Sequence, residues 1–504
     1  MPPAATEPDR SGSWFARKPF TSRACIAVCT ALGLGLLVEQ VPFLAELRIL
    51  HPVSPGEAGA SSRLAPAPTV GEAKIESLTE TRSELSQPDS AALKAAQSSL
   101  AGGERPGDVA LPAIDAAEPP LPLSDPSGQA LNGFFRALSR TAQHLPEAVT
   151  RVAHFGDSIV VSDLVSGTLR RKLQAEFGDA GHGFMLIANA WPAYFHNDVS
   201  RFATAGWSVS RIVGPYAEDG LYGLGGVSFK AERNTVARFG TAKSGPYGKR
   251  VARFLLDYLE APNGGTVQVS VDGVPRATVD TRAALKRSAS FTLEVPDGEH
   301  EFELYTKTGV TRAFGVVLER NTPGVVVDAI GVQGARIRFL DKQDDAHWAE
   351  QLSWRKLNLL IYEFGANESG DGFLYPMADY HRTMKEVIAQ GQRALPDSSC
   401  LVIGAMDRAA KVGDEIVSMR VIPSIVEEQR DVAAELGCAF FDTYTAMGGA
   451  RSMPTWVRRG LGQADLTHPT AIGAEVIGNW VYRALMKSYN AHLAHLAPSF
   501  PTAP

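Results

Sequence analysis

The sequence predicts an α/β domain with a doubly wound parallel sheet, interrupted by an inserted antiparallel β-sandwich or jelly-roll domain. Two observations predict the α/β part. Apolar runs of buried-strand length alternate with helical periodicity beyond residue 323, and a strand–turn–helix unit occurs near residue 151. The third observation predicts the insertion, because short β-rich runs separated by glycine turns lie between these two parts.

Length and charge narrow the class of protein. At 504 residues the chain exceeds the usual size of one compact domain, so we expect two globular units and connecting sequence. The formal net charge is −6, and the sequence has no stripe of basic residues that could bind a phosphate backbone. These features argue against nucleic acid as a partner.

Residues 1–50 resemble a membrane-targeting segment. Basic residues precede an uncharged apolar run, Ala24–Val38, which predicts a cytoplasmic N-terminus and an anchor in the inner membrane. No small-x-small cleavage site directly follows the run, so an uncleaved anchor is favoured over a cleaved signal peptide. The folded part of the chain would then be periplasmic or otherwise extracytoplasmic.

Residues 51–126 are rich in Ala, Pro, Ser, Gly and Glu and poor in aromatic and β-branched residues. Such a composition cannot bury enough apolar surface to fold, so we interpret this stretch as a flexible linker. A linker of this kind would let a folded domain reach substrate at a distance from the membrane.

The first part of the α/β domain is predicted at residues 127–190. Arg151–Phe155 has the pattern of a short strand, and apolar residues recur at helical spacing from Val161 to Leu173. Gly178 and Gly181 then end the helix.

The inserted domain is predicted at residues 191–323. Its β-rich runs include Ala252–Leu259, Thr266–Val271 and His300–Tyr305, separated by turn signals such as Asp272-Gly273. Many short strands with regular turns are typical of a sandwich or jelly roll.

The second part of the α/β domain is predicted at residues 324–497. Segments with helical periodicity separate its apolar runs, which are Val325–Ile330, Leu357–Phe364, Cys400–Met406 and Cys438–Asp442. This alternation predicts a parallel sheet that also contains the strand near residue 151.

The cysteines show no metal-binding spacing. Cys25 and Cys29 lie in the apolar N-terminal run, whereas Cys400 and Cys438 each open a predicted strand. If these two strands are neighbours, a disulfide between Cys400 and Cys438 is geometrically conceivable. Two buried free thiols are the favoured interpretation.

Candidate functional residues lie where parallel strands end, because ligands bind beyond the carboxyl ends of strands in open α/β sheets. The first strand ends in His154–Ile159, which would expose Ser158 at the start of a helix. There a hydroxyl can act as a nucleophile and an amide can support an oxyanion. Taken alone, the segment is better explained by an ordinary helix N-cap.

Two further strand ends offer hydrogen-bond donors for an oxyanion. Gly331–Arg336 contains the backbone N–H of Gly334, and Tyr362–Glu368 contains the carboxamide of Asn367. Glycine and asparagine also favour plain turns, so neither segment is diagnostic by itself.

The last candidate segment, Asp465–Pro469, precedes a predicted C-terminal helix. An acid three residues before a histidine can hold the imidazole in the tautomer required of a general base. Asp465 and His468 are therefore candidates for these two roles. A helix-capping aspartate beside a surface histidine is the alternative.

In this order the four segments resemble the SGNH (GDSL-like) hydrolase superfamily, which is named for its Ser, Gly, Asn and His. The matching blocks are Gly156-Asp157-Ser158, Gly334, Gly365-Ala366-Asn367-Glu368 and Asp465-Leu466-Thr467-His468. Many members have Asp at the position of Glu368, a difference that we do not expect to matter.

The resemblance implies a flavodoxin-like fold and a serine esterase. Ser158 would be the nucleophile and His468 the general base, oriented by Asp465. The amides of Ser158 and Gly334 and the side chain of Asn367 would form the oxyanion hole. The resemblance implies no cofactor and no metal.

The interruption by a sandwich domain, with delivery across a membrane, resembles the peptidoglycan O-acetylesterases of Gram-negative bacteria. The run Phe177–Phe184 is also similar to that group. This likeness implies an O-acetylated glycan as substrate, with peptidoglycan favoured, and an acyl-enzyme intermediate. The alternatives are an SGNH-type O-acetyltransferase for an exported polysaccharide and a non-catalytic glycan-binding scaffold. His154, Asp407 and Arg408 also lie near strand ends and stay outside the predicted site.

Overall fold

The structure of the chain is a computed structural model that describes residues 108–111, 118–413 and 415–496. The predicted membrane segment with Cys25 and Cys29, and most of the predicted linker, lie outside the described residues. Within the described ranges, no helix combines the length and the apolar character needed to cross a membrane.

The strands of the described chain follow one another in this order: β1 Val149–Gly156, β2 Gly183–Leu186, β3 Val199–Ala203, β4 Ser208–Arg211, β5 Val227–Ala231, β6 Val236–Thr241, β7 Val251–Glu260, β8 Thr266–Val271, β9 Val274–Asp280, β10 Arg287–Gly298, β11 Glu301–Thr308, β12 Thr311–Glu319, β13 Gly324–Gly331, β14 Leu359–Glu363, β15 Ser399–Ile403, β16 Ala409–Val412, β17 Glu415–Ser418 and β18 Ala439–Phe441.

The helices of the described chain are α1 Asn132–Ala142, α2 Ser158–Val161, α3 Leu164–Phe177, α4 Asp345–Arg355, α5 Met377–Ala394, α6 Ile422–Glu435, α7 Thr443–Ala446, α8 Ser452–Arg458 and α9 Ala471–Leu496. Among the described residues, Ile337–Lys342 and Glu368–Leu374 form 3-10 helices.

A parallel sheet with the order β13-β1-β14-β15-β18 forms the centre of the α/β domain. Because successive side chains of a strand point to opposite faces, Leu359 and Ile361 of β14 pack toward α1, α3 and α9. Leu360 and Tyr362 pack toward α4, α5 and α6. Helices therefore cover both faces, and the predicted doubly wound parallel sheet is confirmed.

The insertion consists of two antiparallel sheets. One has the order β10-β7-β12-β5-β4 with β2 added beside β12, and the other has the order β3-β6-β11-β8-β9. Phe254 of β7 and Phe302 of β11 stack with their ring centroids 5.1 Å apart, so the two sheets share an aromatic core. The predicted sandwich is confirmed.

The antiparallel domain starts earlier than the predicted boundary at residue 191. Strand β2 lies within the predicted range 127–190, yet Gly183–Leu186 pairs antiparallel with Gly315–Leu318 of β12. Its four residues are all buried, and an apolar run of this length does not reveal which sheet it joins.

The predicted linker also ends earlier than residue 126. Ser124 and Phe440 exchange two backbone hydrogen bonds of 2.8 Å, which adds Ser124 to the edge of β18. Leu121 and Leu123 pack against the core beside it. The segment before Pro126 thus covers an edge of the parallel sheet.

Cys400 and Cys438 form a disulfide, so the favoured interpretation of two free thiols is wrong. Strands β15 and β18 are neighbours with Leu401 opposite Ala439, which places the two cysteines opposite each other with Cα atoms 4.6 Å apart. This spacing lies in the range that a disulfide requires.

We expect the Cys400→Ala/Cys438→Ala variant to lose about 4 kcal/mol of unfolding free energy, because the bond closes a loop with a sequence separation of 38. Urea denaturation of both proteins measures the loss. Reductant should lower the denaturation midpoint of the wild type but leave that of the variant unchanged. Equal midpoints for the two oxidised proteins would show that the bond contributes no stability.

Candidate active site

Three side chains from the two ends of the folded chain form a continuous hydrogen-bonded chain. Ser158 Oγ lies 2.7 Å from His468 Nε2, although 310 positions separate the two residues. His468 Nδ1 lies 2.6 Å from Asp465 Oδ2. The arrangement is that of a nucleophile, a general base and an orienting acid.

The turn after β1 places Ser158 at the sheet edge. Asp157 caps the short helix α2 by accepting a hydrogen bond of 3.1 Å from the backbone N–H of Ile159. A Cβ atom at Gly156 would collide with the side chain of Val160 and the carbonyl oxygen of Glu363. Only glycine therefore allows the tight passage from β1 into α2 that exposes Ser158.

Asp465 is arranged to remain a carboxylate. Partial burial alone would raise its pKa, but hydrogen bonds from the backbone and the ring of His468 and from the backbone of Thr467 outweigh that effect. They hold the pKa of Asp465 below its ordinary value. Its Oδ1 accepts both backbone N–H groups at 3.0 Å, which leaves Oδ2 for the imidazole.

Two predicted oxyanion donors are open. In the described part of the chain, the backbone N–H groups of Ser158 and Gly334 have no hydrogen-bond acceptor. Gly334 is exposed and has a φ of +78°, a conformation that suits glycine. Both amides can therefore donate to an incoming carbonyl oxygen.

The third predicted oxyanion donor, the side-chain amide of Asn367, is already hydrogen-bonded within the protein. Its Nδ2 donates to Asp157 Oδ2 at 3.1 Å and to the carbonyl oxygen of Ala335 at 3.0 Å, so both amide hydrogens already have protein acceptors. An oxyanion would have to share one of these hydrogens. The role of Asn367 as an oxyanion donor stays a prediction.

The profile of the GDSL-like Lipase/Acylhydrolase family matches residues 290–476, which include Gly334, Asn367, Asp465 and His468. A solved peptidoglycan O-acetylesterase shares the fold with a TM-score of 0.62 and 22% sequence identity, covering 73% of this chain and 99% of that chain. The chain contains an SGNH hydrolase domain.

Two other solved structures are less similar to this chain. A family two carbohydrate esterase from Cellvibrio japonicus has a TM-score of 0.23 and 12% identity, covering 58% of this chain and 98% of that one. A catalytic mutant of an acetylxylan esterase from Geobacillus stearothermophilus has a TM-score of 0.24 and 17% identity, covering 33% and 73%. No curated protein matches the sequence.

Asp157 is buried directly before Ser158, the predicted nucleophile. Burial raises its pKa to about 8, and the nearby carboxylates of Glu368 and Glu363 add to this effect. At neutral pH the carboxyl group is therefore mostly protonated. A neutral Asp157 can still accept a hydrogen bond from Asn367 without placing a negative charge beneath the oxyanion site.

We expect the Asp157→Asn variant to lose about 10- to 100-fold in kcat. Each carboxyl oxygen of Asp157 accepts an N–H, so the new amide group would face a donor, which costs about 1–3 kcal/mol. Hydrolysis of 4-nitrophenyl acetate measures this loss. The matched control is Asp344→Asn, which changes another N-cap, that of α4, and should keep full activity because Asn caps helices equally well. Equal kcat values for the wild type and Asp157→Asn would contradict the assigned role.

Glu368 connects the glycine and asparagine blocks, a role that its position in the sequence does not indicate. Its buried side chain accepts hydrogen bonds from the backbone N–H of Ile337 at 2.7 Å and of Gly365 at 3.1 Å. These bonds fix the loop after Ala335 against the loop that carries Asn367. The expectation that Glu in place of Asp does not matter stays a prediction.

Two residues left outside the predicted site have structural contacts. His154 Nδ1 lies 2.9 Å from Ser166 Oγ, and its Nε2 lies 2.9 Å from Glu363 Oε2 without the alignment of a hydrogen bond. This Ser–His–Glu group is fully buried and cannot reach a substrate. Asp407 is also buried and accepts hydrogen bonds from Ser418 and from the backbone of Met453.

A second cluster, Asp163, His182 and His196, has the residue types of a metal site, with ligand atoms within 4.8 Å of one another. Arg170 binds both carboxylate oxygens of Asp163, at 3.0 and 2.5 Å. His182 Nε2 lies 2.9 Å from His196 Nδ1. The carboxylate is neutralised and the imidazoles bond to each other, so the cluster does not fit a cation.

The same two histidines predict a loss of stability in acid. Burial lowers the pKa of His196 to about 3 and holds that of His182 well below its ordinary value. The unfolded chain therefore binds protons below about pH 6.5 that the folded chain does not. The contribution of neutral His196 to the unfolding free energy is therefore fully present above that pH and decreases as the pH falls. At about pH 5.5 the decrease is about 1.4 kcal/mol.

Urea denaturation at about pH 7.5 and pH 5.5 tests this effect. The unfolding free energy should fall between these two pH values by about 1.4 kcal/mol less for His196→Gln than for the wild type. His495→Gln is the control because His495 is exposed in the last turn of α9, and it should behave like the wild type. If His196→Gln also matches the wild type, the buried pair is not the cause of acid sensitivity.

Proposed function

We propose that the protein is an extracytoplasmic serine esterase that removes O-acetyl groups from peptidoglycan or a related envelope glycan. The observation that carries this proposal is the hydrogen-bonded chain Ser158–His468–Asp465, with distances of 2.7 and 2.6 Å. A serine hydroxyl paired with an imidazole, itself paired with a carboxylate, is arranged for attack on an ester carbonyl.

The geometry supports a two-step reaction. Ser158 Oγ attacks the acetyl carbonyl carbon while His468 Nε2 takes the hydroxyl proton, and the new oxyanion accepts hydrogen bonds from the amides of Ser158 and Gly334. The sugar oxygen then leaves with the proton from His468, which forms acetyl-Ser158. Water attacks this acyl-enzyme while His468 takes one of its protons, and acetic acid leaves as His468 returns that proton to Ser158 Oγ.

Three observations support the glycan and the compartment. The solved peptidoglycan O-acetylesterase is aligned over 99% of its length and covers 73% of this chain. The Cys400–Cys438 disulfide is typical of proteins in oxidising compartments. The apolar run in residues 24–38 predicts a membrane anchor that would hold the enzyme near the envelope.

The test is acetate release from O-acetylated peptidoglycan, measured by an enzymatic acetate assay. We expect release by the wild type, none by Ser158→Ala, and none from peptidoglycan whose O-acetyl groups were first removed by mild base. The third sample separates O-acetyl from N-acetyl groups, because mild base spares the amide. Two results would reject the proposal. One is hydrolysis of 4-nitrophenyl acetate with no acetate released from any O-acetylated glycan, and the other is acetyl transfer to an added glycan in place of acetate release.

A further inference from the structure

Arg408 joins the two loops that carry Asn367 and His468. Its Nε donates to Thr467 Oγ1 at 2.9 Å, one residue before His468. Its Nη1 donates to the carbonyl oxygen of Ala366 at 2.7 Å, one residue before Asn367, and to Ser369 Oγ at 3.1 Å. One guanidinium therefore contacts both neighbours of the predicted site residues.

The Asp465–His468 turn needs such external contacts. Leu466 has a φ of +59°, a conformation that is unfavourable for a leucine. The Leu466 carbonyl oxygen accepts a hydrogen bond of 3.0 Å from the backbone N–H of Ala409, directly after Arg408. Residues 408 and 409 thus contact this turn through one side-chain and one backbone hydrogen bond.

Arg408 is itself held in place. It lies after β15, at the same edge of the sheet as Ser158, and its carbonyl oxygen accepts a hydrogen bond of 2.8 Å from the backbone N–H of Met419. Its side chain is partly buried. The planar guanidinium has fixed donor directions, so its contacts set a distance between the two loops that a flexible lysine could not set.

We propose that Arg408 is a positioning residue of the reaction, which fixes the His468 loop relative to the Asn367 loop and acts through Thr467 and Ala366. This inference rests on the proposed function. Proton transfer between Ser158 and His468 requires a separation near 3 Å, and small displacements of such groups reduce rates strongly. Loss of the contact should therefore lower kcat more than it raises KM.

The test uses 4-nitrophenyl acetate, which requires the serine and histidine but no glycan. We expect kcat to fall about 10- to 100-fold in Arg408→Lys, with KM within about threefold of the wild type. Thr467→Val removes the acceptor of Arg408 Nε and should show a loss of the same kind, whereas Thr467→Ser keeps the hydroxyl and should restore most of the activity. The Arg408→Lys/Thr467→Val variant should lose less than the product of the two single losses, because both changes remove one shared interaction.

The control is Arg430→Lys, which alters an exposed arginine of α6 paired with Asp442 and should keep wild-type kcat. Thermal denaturation of each variant, together with labelling of Ser158 by a fluorophosphonate, separates a slower reaction from loss of folding. Unchanged kcat in folded Arg408→Lys, a rise in KM alone, or fully multiplicative losses in the double variant would each overturn the proposal. Failure of the proposed function gives a different result, because the wild type would then release no acetate from any O-acetylated glycan, whereas the comparison of Arg408→Lys with the wild type uses only 4-nitrophenyl acetate.

Discussion

Replacement of Ser158 by alanine is expected to lower kcat for an acetyl ester by about 10⁶-fold, to a rate near that supplied by the open amide donors alone. The variant removes the oxygen that lies 2.7 Å from His468 Nε2, so no acyl-enzyme can form. The amides of Ser158 and Gly334 are backbone groups and remain, which explains why some acceleration over water should persist.

Steady-state hydrolysis of 4-nitrophenyl acetate and fluorophosphonate labelling together measure this effect. The wild type should be labelled at one site and the variant should not be labelled. Ser162→Ala is the matched control, since Ser162 follows α2 and its hydroxyl donates to the backbone carbonyl oxygen of Ile159 at 3.5 Å. If Ser158→Ala kept more than about one per cent of kcat, another nucleophile would be responsible.

Replacement of His468 by glutamine should lower kcat by about 10⁵- to 10⁶-fold, a loss similar in size to that of Ser158→Ala. Glutamine can form hydrogen bonds but cannot take the serine proton at neutral pH, so attack on the ester would lose its general base. The kcat of the Ser158→Ala/His468→Gln variant should equal that of the less active single variant, because the two groups act as one unit.

The control for this change is His381→Gln. His381 lies on α5, is partly exposed and contacts Glu428 at 2.7 Å, so it shares the residue type and a carboxylate partner with His468. It should retain wild-type kcat. If the loss in the double variant equalled the product of the two single losses, Ser158 and His468 would be acting independently, contrary to the observed hydrogen bond.

The sequence was sufficient to predict which strand ends meet. Parallel strands place their carboxyl ends at one edge, so Ser158 after β1, Asn367 after β14 and the later Asp465–His468 segment were expected to converge. The structure brings Ser158, His468 and Asp465 into one hydrogen-bonded chain. The period of apolar residues also distinguished the parallel from the antiparallel parts.

Other features depend on which elements become neighbours, and periodicity does not encode that. The Cys400–Cys438 bond requires β15 beside β18, and the assignment of β2 requires its pairing with β12. The contacts of Glu368 and Arg408 depend on loop conformations set by the packed structure. For these residues the sequence reveals a residue type near a strand end but not its partner.

The position of β1 has a consequence for the order in which this protein acquires its shape. Its two sheet neighbours, β13 and β14, both come after the sandwich in the chain. During synthesis β1 therefore has neither of its partner strands until all residues of the sandwich have been synthesised. The sandwich, whose strands pair mostly with each other, can fold as a unit in that interval and then bring its two ends together. A chain that ends before residue 324 would thus contain every strand of the sandwich but neither sheet partner of β1.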